Sequence, residues 1–166
     1  MGVPGDGPFQ WDFVTPGLPD AAFADAPGFS PTPLELRVML LAHLRPRPDS
    51  LVWDVGGGTG ALALEIARLM PAGQVHTLER DPEAIELLKR NGQRFGATNL
   101  HIHAGDAPEG LSQLPPHPDR VLLEVGRARP AWRDWWMPPT PWAAWRPATF
   151  KWCKPPCTAC SAAAAR

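Results

Sequence analysis

Three acidic residues occur where apolar segments of the chain end, and the first of them leads into a run of glycines. Asp54 lies in an apolar segment that continues into Gly56–Gly60, Glu79 ends the next apolar segment, and Asp106 follows the third. A carboxylate can accept two hydrogen bonds from the vicinal hydroxyls of a ribose. Glycines let the backbone approach a ligand closely. Together these residues predict an adenosine site, although singly Glu79 is also compatible with a solvated strand-end charge and Asp106 with a turn former.

The glycine run itself has the spacing Asp54-x-Gly56-x-Gly58-x-Gly60. This spacing is neither the G-x-G-x-x-G fingerprint of dinucleotide-binding folds nor a P-loop, which ends in Lys-Ser/Thr. It looks like the first motif of class I methyltransferases, which bind S-adenosylmethionine. We therefore expect S-adenosyl-L-methionine as the cofactor.

The segments that must position these residues alternate between strand and helix patterns. Asp81 is a predicted N-cap with Pro82 at the first helical position, and Thr32 is a predicted N-cap for an earlier apolar helix that ends before Pro46. Alternation of this kind predicts right-handed crossovers, a parallel sheet, and a ligand site at the carboxyl ends of its strands. The predicted strands cover residues 51–55, 74–79, 99–104 and 119–125, and the helices cover 32–45, 61–70, 82–95 and a short piece to 114.

Length, charge and cysteine placement restrict the function further. A chain of 166 residues suits one α/β domain, and a net charge of -1 gives no electrostatic reason to expect nucleic acid or an anionic membrane as a partner. With neither a leader pattern nor a long apolar run, we expect a cytoplasmic protein. The three cysteines all lie between Cys153 and Cys160, without a fourth thiol or a neighbouring histidine, so we expect no metal site.

Six short motifs, in order, resemble those of the decarboxylating precorrin methyltransferases of cobalamin synthesis. These enzymes methylate carbon 15 of cobalt-precorrin-6B and remove a carboxyl group from an acetate side chain. The resemblance covers about Trp11 to Val125. Its motifs are Pro16-Gly-Leu-Pro-Asp20, Thr32-x-x-Glu-x-Arg37, Trp53-Asp-Val-Gly-Gly-Gly-Thr-Gly60, Glu79-Arg-Asp-Pro-Glu83, Asn91-x-x-Arg-Phe-Gly96 and Gly105-Asp-Ala-Pro-Glu109.

The resemblance implies a fold, a cofactor site and a substrate. The fold would be α/β, of the class I, Rossmann-like methyltransferase type, with a parallel sheet flanked by helices. Because the chain departs from the family's pattern from Arg127 onward, we expect this sheet to be incomplete at its C-terminal edge. Glu79 would hold the ribose, and Asp106 with Ala107 would border the adenine. The residues implied to contact the remainder of S-adenosylmethionine are Thr32, Gly56, Gly57, Gly58, Thr59 and Gly60.

The implied substrate is a cobalt-precorrin tetrapyrrole, which is a large polyanion. Arg37, His43 or Arg45 are candidates to pair with its carboxylates, and the alternative for each is a solvated basic side chain. The turn from Pro16 to Asp20 could form part of the substrate wall or could serve only as a packing turn. No catalytic residue is identified, and a homo-oligomer is compatible with the sequence.

The chain divides into an irregular N-terminal arm (1–28), a methyltransferase domain (29–126) and an aberrant tail (127–166) that is rich in Trp, Pro, Cys and Ala. Tryptophan and cysteine codons both begin with TG, so a shift of one base would convert them to apolar codons at helical spacing. We therefore hypothesise a frameshift near residue 127, and expect the tail to be disordered or loosely packed and the chain to be less stable than its family. The alternatives are a different class I methyltransferase or a remnant that binds the cofactor without turnover.

Overall fold

The computed structural model describes residues 12–124 of the chain. Within that range, strands and helices alternate, with two short 3₁₀ helices at Asp20–Ala22 and Glu109–Gln113. The strands are β1 (Leu51–Val55), β2 (Gln74–Glu79), β3 (Leu100–Ala104) and β4 (Arg120–Leu123), and the helices are α1 (Leu34–Leu44), α2 (Ala61–Leu69) and α3 (Pro82–Arg94). The predicted strand positions are confirmed to within two residues at each end.

The four strands form a parallel sheet in the order β3-β2-β1-β4. The chain runs outward from β1 through β2 to β3 and then returns to the other side of β1. The strand order therefore reverses between β1 and β4, which is where open α/β sheets bind their ligands. The prediction of a parallel sheet flanked by helices is confirmed.

Helix α2 packs on one face of the sheet because almost every residue in it is apolar. Leu62 and Ile66 are fully buried against Val52 of β1 and Val75 of β2. Helix α3 is amphipathic, and it begins as predicted: Asp81 is its N-cap and accepts a hydrogen bond from the Glu83 backbone N–H. Burial of these two helices holds the carboxyl ends of β1 and β2 in fixed positions.

Helix α1 differs from its prediction in two ways. Its N-cap is Pro33 rather than Thr32, and no side chain caps it. The Thr32 hydroxyl instead donates to the carboxylate of Glu124, the residue that follows β4. The helix also buries Arg37 and leaves Leu36 and Met39 exposed (39% and 51%). The apolar composition of α1 therefore did not identify its buried face.

The described part of the N-terminal arm packs on the domain. Leu18 and Phe23 are buried in a cluster with Ala61 and Leu64 of α2. No helix in the described part of the chain is long and apolar enough to cross a membrane. The hypotheses of a frameshift, a loosely packed tail and an incomplete C-terminal sheet edge concern residues 125–166, which lie outside the described range.

Candidate functional site

The glycine turn after β1 requires backbone conformations that other residues rarely adopt. Gly56, Gly58 and Gly60 have φ angles of 91°, 53° and 80°, in the left-handed region. A Cβ on Gly57 would overlap the Thr77 hydroxyl, and one on Gly60 would lie 2.8 Å from Leu88 Cγ. Glycine therefore occurs where the turn packs closely against β2 and α3. The turn ends at Gly60, which is the N-cap of α2.

Glu79 at the end of β2 is bound directly to this turn. Its Oε2 accepts a hydrogen bond of 2.9 Å from the Gly58 N–H, and its Oε1 accepts from the N–H groups of Arg80 (2.7 Å) and Asp81 (2.9 Å). A carboxylate has about four acceptor positions, so Glu79 can fix the turn and still accept from a ligand hydroxyl. The structure therefore brings Glu79 and the glycines together.

Asp106 and Ala107 follow β3 at the same edge of the sheet. Asp106 is exposed, and its Oδ2 lies 3.5 Å from Arg80 Nη1. Its backbone carbonyl accepts a hydrogen bond of 2.8 Å from the N–H of Gly110, which lies in the second 3₁₀ helix. Ala107 is buried with Val55 and Leu78. Asp106 and Ala107 therefore lie next to Glu79 in strand order, because β3 pairs with β2 on the side away from β1.

Thr59 of the glycine turn is bound through its backbone by a side chain of α3. It is buried, and its backbone carbonyl accepts a hydrogen bond of 2.9 Å from Asn91 Nδ2 of α3. Asn91 also bonds the arm, because its Oδ1 accepts from the Ala24 N–H at 2.7 Å and its Nδ2 donates to the Ala24 carbonyl at 3.1 Å. One buried amide therefore joins the arm, α3 and the glycine turn.

Thr32 is connected to the glycine turn by a hydrogen bond to Glu124, a residue that the sequence analysis did not identify as part of the site. The Thr32 Oγ1 donates to Glu124 Oε2 at 3.2 Å. The Glu124 N–H donates to the Val55 carbonyl at 2.9 Å, and its own carbonyl oxygen lies 2.5 Å from the position that a Gly56 Cβ would take. Glu124 follows β4, so the signal used for the other three strands, an acid at the carboxyl end, would have found it.

Asp54 is the most deeply buried acid of the site, at 1% exposure. The Thr77 hydroxyl donates to its Oδ2 at 2.9 Å, while its Oδ1 has no hydrogen-bond partner among residues 12–124. Burial, then the charge of Glu124 and more weakly that of Glu79, raise the pKa of Asp54 to about 7 against the opposing hydrogen bond from Thr77. Burial likewise raises the pKa of Glu124, opposed by Thr32 and Arg37.

Arg37 is not available to a substrate, which corrects one prediction. It is 0% exposed and pairs with Glu65 Oε1 (2.8 Å) and Asp20 Oδ1 (2.6 Å), and it also donates to the carbonyls of Thr32 and Leu18. Its guanidinium binds the N-terminal arm, through Asp20 and Leu18, and α2, through Glu65. His43 and Arg45, the other two candidates, are exposed at the end of α1.

The site offers carboxylates, backbone N–H groups and a closely approachable turn. Among the described residues, no group of three or more His, Cys, Asp or Glu side chains is arranged to hold a metal ion. The arrangement suits a polar organic ligand that has hydroxyl groups near Glu79 and a part that lies along the turn.

The sequence model of the precorrin methyltransferase domain matches residues 30–137. The chain belongs to this family. A probable cobalt-precorrin-6B C(15)-methyltransferase (decarboxylating) from Pyrobaculum calidifontis is 41% identical over 118 residues, covering 70% of this chain and 60% of the relative.

Two solved structures of precorrin-6Y C5,15-methyltransferases show the same fold. The C-terminal domain of the Rhodobacter capsulatus protein is 30% identical with a TM-score of 0.64, covering 75% of this chain and 65% of that one. The Geobacter metallireducens protein is 38% identical with a TM-score of 0.60, covering 65% and 56%. The class I, Rossmann-like methyltransferase fold is thereby confirmed.

This member of the precorrin methyltransferase family spans less than two thirds of the length of the curated relatives that it matches. It covers 60% of the Pyrobaculum calidifontis relative and 63% of the one from Pyrobaculum aerophilum. The match to the family model, residues 30–137, includes helices α1 to α3 and strands β1 to β4.

Proposed function

We propose that this chain transfers a methyl group from S-adenosyl-L-methionine to carbon 15 of cobalt-precorrin-6B, with decarboxylation of the acetate side chain. The observation that carries the proposal is the hydrogen bond between Glu79, at the end of β2, and the glycine turn that follows β1 in a precorrin methyltransferase domain. This geometry supports the proposal because the Glu79 carboxylate, which would bind the ribose, lies beside a turn whose glycines would let a ligand approach the backbone.

The residues fit the cofactor because the turn cannot accept side chains and the polar groups follow it in order. Glu79 would hold the ribose, Asp106 and Ala107 would border the adenine, and Thr32 with Gly56–Gly60 would contact the rest. When bound, the cofactor supplies a sulfonium methyl group that is already strongly electrophilic. The protein therefore needs to orient the acceptor carbon and exclude water rather than to provide a nucleophile.

The proposed substrate wall is the turn from Pro16 to Asp20. Its backbone is rigidly held, since Glu65 Oε2 accepts from the Gly17 N–H at 2.7 Å and Glu65 Oε1 from the Leu18 N–H at 3.2 Å. A rigid wall suits the positioning of a large substrate. No residue is assigned as a general base. The proposal includes a soluble protein that works in the cytoplasm, and it is compatible with a homo-oligomer.

A second candidate function is cofactor binding without turnover. The observation that favours it is the composition of residues 127–166, which contain six of the eight tryptophans and all three cysteines. Family membership argues against the other alternative, a methyltransferase of an unrelated class I family.

Calorimetry followed by a turnover assay separates these functions. The full chain is titrated with S-adenosylmethionine and then incubated with cobalt-precorrin-6B, and mass spectrometry detects methyl gain and carbon dioxide loss. Glu79→Gln should weaken binding about 10-fold or more, because a neutral amide accepts hydroxyl hydrogen bonds less strongly. Glu83→Gln, at an exposed position of the same segment, is the matched control. Binding with turnover supports the proposed reaction, binding without it favours the second candidate, and no binding overturns both.

A further inference from the structure

Histidine side chains from two neighbouring strands lie together on one face of the sheet. His76 of β2 is directly opposite His101 of β3 in the strand register, and His103 follows on the same face of β3. The rings of His76 and His101 stack with their centroids 4.5 Å apart. Val75, the neighbour of His76, faces the other way and packs against α2. The histidines therefore form a cluster on the opposite face of the sheet from α2, apart from the glycine turn.

Within this cluster, one ring nitrogen of His76 faces one ring nitrogen of His103. The distance from His76 Nδ1 to His103 Nε2 is 3.0 Å, and the second nitrogen of His76, Nε2, lies 3.2 Å from Gln74 Oε1. An amide oxygen only accepts hydrogen bonds, so the neutral His76 ring carries its proton on Nε2 and keeps a lone pair on Nδ1. In the metal-free protein this lone pair accepts a hydrogen bond from the His103 Nε2–H.

The same arrangement suits the binding of a metal ion. Neutral imidazole is the commonest metal ligand in proteins, and a ligating ring usually donates its other N–H to a carbonyl or carboxylate oxygen. Gln74 provides such an acceptor for His76. Two nitrogens at neighbouring positions on one ion are about 3 Å apart, because metal–nitrogen bonds are about 2.1 Å long. The two rings therefore already have the separation that a chelate requires.

Burial fixes one ring of the pair and leaves the other open to solvent. His76 is 7% exposed, and its ring is held by His101 on one side and by Gln74 at Nε2. His103 is half-buried. An ion can thus approach from the side of His103, and water can occupy its remaining coordination positions. Imidazole nitrogen with water suits first-row divalent ions, among which Ni²⁺ and Cu²⁺ bind such ligands strongly.

We propose that His76 and His103 bind a divalent transition-metal ion through Nδ1 and Nε2 respectively, with water completing its coordination. The ion replaces the hydrogen bond between the rings, which rotate so that both lone pairs point at it. His103 ligates as its other tautomer, with its proton on Nδ1, so no net proton is released. The bound ion joins β2 to β3. The expectation of no metal site was based on the cysteines and did not consider this pair.

The test measures Ni²⁺ binding by calorimetry on the full chain at about pH 7.5, where a free imidazole is neutral. The protein is first stripped with a chelator, and its thiols are alkylated because Cys153, Cys157 and Cys160 would also bind the metal. Both His76→Gln and His103→Gln should weaken Ni²⁺ binding about 10-fold or more, since each removes a ligand. His43→Gln, at an exposed position of α1, is the matched control and should keep the wild-type affinity.

Circular dichroism checks that each variant is folded, and the melting temperature gives a second measure of binding. Ni²⁺ should raise the melting temperature of the wild type, because it binds the folded protein, and should raise that of His103→Gln much less. The absence of Ni²⁺ binding to the alkylated wild type overturns the proposal. An unchanged affinity in either His76→Gln or His103→Gln overturns it as well.

Electron paramagnetic resonance of the Cu²⁺ complex identifies the ligands directly. The wild-type spectrum should show hyperfine coupling to two imidazole nitrogens, and the spectrum of His103→Gln to one. His101→Phe keeps a stacking ring but has no ligand nitrogen, so it should retain the two-nitrogen spectrum and a Ni²⁺ affinity within about 3-fold of the wild type. Loss of a coupled nitrogen in His101→Phe would overturn the assignment of His76 and His103 as the ligand pair.

Discussion

Arg37 and Glu65 form an ion pair inside the protein, with Arg37 Nε 2.8 Å from Glu65 Oε1 and neither side chain exposed to solvent beyond 1%. Glu65 also accepts from the N–H groups of Gly17 and Leu18, and Arg37 donates to the Leu18 carbonyl. The pair therefore fastens the N-terminal arm to α2. It explains how a segment with little regular structure keeps a defined position beside the site.

Removing Glu65 should strongly destabilise the fold. Glu65→Ala leaves the Arg37 charge buried with Asp20 as its remaining ion-pair partner, and the free energy of unfolding should fall by about 3–5 kcal/mol in urea titrations. Glu86→Gln is the control, because Glu86 pairs with Lys89 at 2.7 Å on the surface, and it should change stability by less than about 0.5 kcal/mol. Equal effects of the two variants would show that the buried pair does not hold the arm.

Gly57→Ala should disrupt the turn, whereas Gly92→Ala should not. A Cβ at Gly57 overlaps the Thr77 hydroxyl, which is fixed by its bond to Asp54, so the turn must move away from β2. Binding of S-adenosylhomocysteine should weaken at least about 10-fold in calorimetry. Gly92 lies inside α3 with its nearest neighbour 3.8 Å away, so alanine there should raise stability by up to about 1 kcal/mol. Unchanged binding in Gly57→Ala would contradict this account of the turn.

Asn91→Ala should reduce both stability and ligand binding. The buried amide makes three hydrogen bonds, to the Ala24 N–H and to the carbonyls of Ala24 and Thr59, and its loss leaves those groups unsatisfied. The free energy of unfolding should fall by about 1–3 kcal/mol, measured by thermal and urea unfolding. Gln93→Ala, at an exposed position two residues later, serves as the control. If the variant keeps wild-type stability but binds S-adenosylhomocysteine more weakly, Asn91 positions the glycine turn without stabilising the fold.

The strands, α2, α3 and the glycine turn were predictable because their signals are local. Apolar runs bounded by glycine or proline gave β1 and β2, and Asp81-Pro82 marked the start of α3 through a cap that forms within three residues. The glycine spacing fixed the turn because positive φ angles are a property of the individual residue. Each of these features depends on residues that are close in sequence.

The features that could not be predicted depend on distant partners. Arg37 looked like a substrate ligand because its partners Glu65 and Asp20 are 28 and 17 residues away in sequence. Thr32 looked like an N-cap for the same reason, since the acceptor that takes its hydroxyl is 92 residues away. In both cases a tertiary partner displaced the local role that composition suggested.

His76 on β2 and His103 on β3 should make stability fall in acid. His76 Nδ1 lies 3.0 Å from His103 Nε2, and the His76 ring stacks on that of His101 with centroids 4.5 Å apart. Burial, then the charges of His101 and His103, lowers the pKa of His76 to about 4 from 6.5. The pKa of His103 is lowered too, mainly by burial.

A histidine with a lowered pKa binds fewer protons in the folded protein than in the unfolded chain. Its contribution to stability is therefore fully present above pH 6.5 and is lost as the pH falls toward about 4. Urea unfolding between pH 7.5 and 4.5 should show this decline, and His76→Gln should make it shallower, because the glutamine cannot gain a proton. His43→Gln, on the exposed end of α1, should leave the slope unchanged. A slope that persists in His76→Gln would place the acid sensitivity elsewhere in the fold.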